Sequence, residues 1–224
     1  MEYHNIYNSA QLTELVEEVG FLPLLNMGID GWSAEEQAAD DCGYVKLPEG
    51  GWAWPLWEWK GSVIRESGCA YGKFFRGKAG FVSKAWWGDF CNWRRHKFPF
   101  LTEEDSIENM ILSTLREQGG SLITRELRAA CGFNGTKMRS RFDSYVARLE
   151  MGCRIVIEDF VYPLDRHGRQ YGMGWAQLTT PEERFGTAAG MAQRSPEESY
   201  QRMKDHFMKI LPGLSEADIE RLLG

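Results

Sequence analysis

Across residues 105–177 the apolar residues and turn formers follow an order that admits few folds: a helix, a short strand, two more helices and a two-stranded hairpin. The first helix starts at Ser106 and buries Ile107, Met110, Ile111 and Leu115 before Gly119 and Gly120 stop it. Ser121, Leu122 and Ile123 make one short strand. Thr124 then caps a second helix, which carries Arg125, Leu127 and Ala130 as far as Gly132. After the turn at Phe133, Asn134 and Gly135, a third helix spans about 136–151. It turns Phe142, Tyr145, Val146 and Leu149 inward and leaves Lys137, Arg139, Arg141 and Arg148 on the other side. A strand over 154–162 and a return over 171–178 flank a loop that bears Arg166 and Arg169. This is the order of a winged helix, whose third helix commonly lies in a DNA groove. The same scaffold also serves purely to pack against a protein neighbour, so fold alone does not choose between the two.

Charge favours the nucleic-acid side of that choice only locally. The formal net charge is −6, yet residues 1–59 balance to −10, 60–97 to +7, 98–120 to −4, 121–154 to +4 and 155–224 to −3. Two basic islands therefore sit in an acidic chain, one of them over the second and third helices just described. Either they share a surface and grip phosphates, or they neutralise the acidic blocks across an internal interface.

The first hundred residues form a separate, aromatic-rich α+β unit, with eight of the nine tryptophans lying between Trp32 and Trp93. A helix is expected from Ser9 or Ala10 to Val19, an apolar connector over 21–25, and a short helix after the capping pattern at Ser33. A loop follows over 40–51, then a helix from Pro55 to Gly68 and two strands joined at Arg76-Gly77-Lys78. Ser83 caps a last helix through about Asn92. Lys73, Arg76 and Lys78 alternate with aromatic residues on the hairpin, and Arg94 and Arg95 follow, a pattern that suits a strand face near a phosphate backbone. Trp52, Trp54, Trp57 and Trp59 are either interior or a wall on which an extruded base stacks. Trp57 shares a helical stripe with Val63 and Ile64 and is expected to be core, with Trp52 and Trp54 as the exposed base-stacking pair. Glu58 and Asp89, each beside tryptophans, are the carboxylates placed to activate water if any chemistry occurs.

Other function classes lack support. The cysteines at 42, 69, 91, 131 and 153 are odd in number and hold no Cys-x-x-Cys pair, and the four histidines are isolated, so free thiols and no metal are expected. There is no phosphate-binding glycine loop, no nucleophile elbow, no long apolar run and no leader-like N-terminus, so a cytoplasmic protein without cofactor is expected. Residues 180–194 read as a linker to two C-terminal helices, which begin near Ser195 and Ser215 and whose apolar stripe docks on the N-terminal domain or on a partner protomer.

Phe21-Leu22-Pro23-Leu24, Trp57-Glu58-Trp59-Lys60, the hairpin 70–75 with 78–83, and Asn92-Trp93-Arg94-Arg95 resemble phrases of a group of bacterial proteins distantly related to the AlkZ/YcaQ winged-helix DNA glycosylases. The resemblance spans about residues 10–180. It implies winged-helix architecture, DNA contact and ancestry in the repair of alkylated or cross-linked bases. Those glycosylases position water with a Gln-apolar-Gln motif, which is absent here, so no catalytic residue is carried over. The expectation is an α+β protein with an aromatic-rich domain over 1–100, a winged-helix domain over 101–180 and a helical appendage over 181–224. It binds duplex DNA, or else uses its winged helix as a non-enzymatic protein-interaction module.

Overall fold

A computed structural model describes residues 1, 3–48, 50–187 and 193–224. Helix α1 (Ser9–Val19) begins where the Asn8 side chain accepts the Gln11 backbone N–H, and it buries Leu12, Leu15, Val16 and Val19. The apolar stretch that follows is not merely a connector. Its first residues form β1 (Phe21–Pro23), because their backbone finds a partner in a distant strand. Ser33 caps α2 (Ala34–Gln37). Within the expected loop and just past its end, β2 (Val45–Lys46) and β3 (Trp52–Ala53) make a small hairpin. Proline at the first turn opens α3 (Pro55–Ser67), and Gly68 at φ 65° closes it. Strands β4 (Ala70–Phe75) and β5 (Lys78–Val82) complete an antiparallel sheet in the order β1-β5-β4. Helix α4 (Lys84–Lys97) runs five residues past the expected end, stopping at Phe98, where the following Pro99 disfavours helical backbone.

The second half repeats this plan. Helix α5 (Ile107–Glu117), capped by Ser106, precedes β6 (Ser121–Ile123), α6 (Thr124–Ala130), α7 (Thr136–Met151), β7 (Val156–Val161) and β8 (Trp175–Thr179). Its sheet order is β6-β8-β7. In both halves the sequence is helix, strand, short helix, helix and hairpin, and in both the first strand pairs with the third. The repeat is hard to read from residues alone, because β1 is only three residues long and the β2–β3 hairpin interrupts the first copy. Two local expectations change. Met110 is exposed rather than buried, and the Thr124 hydroxyl donates to the Ala176 carbonyl instead of capping α6.

The halves pack reciprocally: α3 lies against β7, α7 against β4, and the edge strands β4 and β7 approach each other. One apolar cluster, from Leu12 and Leu15 through Val63 and Tyr71 to Phe142, Leu149 and Leu178, runs through both. Beyond β8, part of the expected linker is helical, α8 (Pro181–Phe185), while residues 188–192 of that linker lie outside the described residues. Helices α9 (Pro196–Ile210) and α10 (Glu216–Leu223), each begun by a serine capping box, carry the last apolar stripe. Met203, Phe207, Ile219 and Leu222 share a second core cluster with Phe21, Trp32 and Phe90, so the stripe docks on the chain's own N-terminal half.

Where α7 meets β4, Glu150 is fully buried, with the Lys73 backbone N–H 3.3 Å and the Lys73 ammonium 4.0 Å away. Burial outweighs that attraction and pushes its pKa up to about 7. A carboxyl whose pKa is raised by folding favours the fold below its unfolded value and loses that contribution as pH rises through the folded one. Glu150→Gln is therefore expected to match the wild-type melting temperature at about pH 5 and to exceed it by about pH 8. A variant that lost stability equally at both values would show instead that the charged form is favoured in place.

Candidate functional site

Two features stand out on the surface, an aromatic cleft and a basic helix face. The cleft, of about 510 Å³, lies where the start of α3 and the β2–β3 hairpin meet β7 and the 162–174 loop. Tyr44 and Trp52 stack on one rim with ring centres 4.7 Å apart and planes 2° from parallel, and Trp54 stacks on Trp57 at 4.8 Å. Phe160, Tyr162, Tyr171 and Met173 form the opposite side. The Trp57 indole N–H donates to the Met173 carbonyl at 3.0 Å, tying α3 to the loop across 116 residues of chain. Trp57 thus walls the cleft while packing on the core, rather than lying wholly inside. Trp52 is exposed and Trp54 half-buried, and Glu58 is exposed at the edge of the cleft. Arg65 pairs with Asp159 nearby.

Beneath these rings lies a side chain the sequence reading did not single out. Lys60 has no exposed surface. Its Nζ sits 3.7 Å from the centre of the Trp57 ring and 4.0 Å from that of Phe160, donating to the Trp57 carbonyl at 2.9 Å and to the Tyr162 hydroxyl at 3.5 Å. Desolvation pulls its pKa down to about 7, with Glu58 acting weakly in the opposite sense. The signal was present in the chain: Leu56, Lys60, Val63 and Ile64 occupy one helical stripe, so a lysine stands where an apolar residue belongs.

The basic residues divide sharply. On α7, Lys137, Arg139 and Arg141 are exposed, Arg139 having Asp143 3.9 Å away and Arg141 lying over Tyr145. Arg166 and Arg169 are exposed on the 162–174 loop. Arg148 is held at 2.8 Å by the buried Glu108. The 60–97 island is divided: Lys60 and Arg94 are buried and Lys73 and Arg95 half-buried, while Arg65, Arg76, Lys78, Lys84 and Lys97 are exposed. Arg94 is buried and donates to the carbonyls of Phe74 and Leu222, both at 2.8 Å, so it fastens α10 and has no face for a phosphate. Arg95 grips the Cys153 carbonyl and pairs with Glu182 at 2.6 Å. Lys73 faces Glu150, and Lys78 donates to the Asn26 carbonyl while remaining exposed beside Arg76 at that hairpin turn.

Asp89 is likewise structural. It is buried away from the cleft, accepts from Ser199 at 3.0 Å and pairs with Arg194 and Arg202, clamping α9 onto α4. All five cysteines are free thiols. Among the described residues no group of three or more His, Cys, Asp or Glu could hold a metal ion, and no helix is long and apolar enough to cross a membrane.

No match was found among curated protein sequences or among solved structures. The family model described as AlkZ related matches residues 6–224, nearly the whole chain, and the protein accordingly belongs to the AlkZ-related family.

Proposed function

We propose that this protein binds duplex DNA through a winged-helix unit formed by residues 107–179, laying α7 and the 162–174 loop along the phosphate backbone. The order of elements and the β6-β8-β7 pairing support the winged-helix reading. Lys137, Arg139 and Arg141 on α7, with Arg166 and Arg169 on the loop, supply the phosphate contacts. One observation carries the reading furthest: the loop that presents Arg166 and Arg169 is also a wall of the aromatic cleft, through Tyr171 and Met173. A protein held on DNA by that loop has a stacking pocket beside it for a base turned out of the helix. Membership of the AlkZ-related family adds the link to repair glycosylases, while catalysis is not assigned to Glu58 or any other carboxylate.

Fluorescence anisotropy of a labelled duplex, titrated at stepped salt, tests this. Affinity is expected to fall linearly on logarithmic axes with a slope of about −3 to −5, one unit for each phosphate contact. Binding that is absent or indifferent to salt would favour the second reading, a protein-interaction module. That reading draws on Leu164, Tyr171 and Met173, large apolar side chains exposed on the same loop.

A further inference from the structure

We propose that Lys60, buried directly behind the aromatic wall of the cleft, is an amine nucleophile that forms an imine with the aldehyde of a ring-opened abasic deoxyribose in duplex DNA. The identity of the aldehyde rests on the DNA-binding reading above. The placement of the amine does not.

Lysine is among the residues least often found fully buried without a partner charge. Here no carboxylate pairs with Lys60 among the described residues, and its neighbours are the rings of Trp57, Phe160 and Tyr162 with two neutral oxygen acceptors. Those three aromatic residues all line the cleft. Tyr162 touches the amine through its hydroxyl and also lines the cleft, so a carbonyl in the cleft reaches Nζ when that ring moves aside. Desolvation, against the pull of the Trp57 and Phe160 rings on the ammonium, lowers the pKa to about 7 and so leaves more free base at neutral pH than a solvated lysine has.

The chemistry balances without a co-reactant. The Nζ lone pair attacks the aldehyde carbon, and the carbonyl π pair moves to oxygen, which takes up a proton as nitrogen gives one to solvent. The carbinolamine hydroxyl then takes a second proton from solvent and leaves as water as the nitrogen lone pair forms the carbon–nitrogen double bond, and the iminium returns its N–H proton to solvent to give the imine. A lysine kept in the core for such a role destabilises the fold. Its pKa is lowered by folding, so its contribution is unfavourable at neutral pH and relaxes as pH rises above 7 toward the unfolded value of 10.5.

Sodium borohydride reduces an imine to a stable secondary amine. Full-length protein mixed with a duplex carrying one abasic site and then reduced is expected to give a covalent adduct that peptide mass spectrometry places on Lys60. In Lys60→Met the yield is expected to fall about ten-fold, with a melting temperature above that of the wild type at pH 7. Lys60→Gln serves the same purpose should the methionine variant fail to fold. An adduct on another amine, or none from a duplex that the anisotropy titration shows to be bound, overturns the proposal. If no duplex binds, propanal with cyanoborohydride separates the two ideas. Single alkylation at Lys60 retains the imine-forming amine and removes the abasic substrate together with the DNA reading, whereas an unlabelled Lys60 removes both.

Discussion

Reversing Arg139 and Arg141 to glutamate is expected to weaken duplex binding by about 10- to 100-fold near 0.1 M salt and to flatten the salt dependence by about two units of slope. Both side chains project from the exposed face of α7, and neither supports the fold beyond the i,i+4 approach of Arg139 to Asp143 and the contact of Arg141 with Tyr145. Exposed pairs of this kind contribute well under about 1 kcal/mol, so the melting temperature should hardly move. Binding would weaken alike on unrelated sequences, because phosphates rather than base edges are contacted. Unchanged affinity and slope in the double variant would remove α7 as the DNA face. A matching reversal of Arg94 could not be interpreted, since that side chain bridges two buried carbonyls and its loss would loosen α10.

Trp32→Ala is expected to cost about 3–5 kcal/mol and to lower the melting temperature by about 10 °C, through lost transfer energy and the cavity left behind. Trp32 is fully buried, edge-on to Phe75 at 5.4 Å and to Phe207 at 5.6 Å, with its indole N–H on the Phe21 carbonyl at 2.8 Å. It joins the N-terminal sheet to α9, so its loss should also release the C-terminal helices to protease. Trp52→Ala is expected to do the opposite. Trp52 is 57% exposed and stacks on Tyr44 alone in parallel geometry, which limits the stability cost to about 1 kcal/mol. Its affinity for a duplex containing an unpaired base should nevertheless drop about ten-fold, as a stacking partner is gone. A Trp52 variant that melts as low as the Trp32 variant, or one that binds the unpaired-base duplex undiminished, would count against the cleft as a base pocket.

Local signals were legible because they act over a few residues. Ser106, Ser195 and Ser215 cap the helices that the residue pattern assigned to them, and Gly68 closes α3. The apolar spacing of α7 alone separated Phe142, Val146 and Leu149 from an outward row of cations, and Lys137, Arg139 and Arg141 are indeed exposed. Lys60 also stands in an apolar stripe, a local sign that the reading of the residues passed over.

Which cations stay free was a different question. Arg94 and Arg95 follow Trp93 with the look of a phosphate-binding run, yet α10 and Glu182, far along the chain, enclose the first and pair with the second. Asp89 sits beside tryptophans as a catalytic acid might, but the arginines of the C-terminal segment claim it. One wall of the cleft was legible in Trp52 and Trp54, but the facing wall from residues 159–173 was not, because it meets the first only through the packing of α3 on β7. The residue pattern by itself therefore determined most of the helices and strands and the basic face of α7, all of which follow from periodicity and capping within a turn or two. Only the tertiary structure decided which charges are consumed and where a pocket opens, since burial depends on which surfaces meet, and residues more than a hundred positions apart carry no local sign that they will.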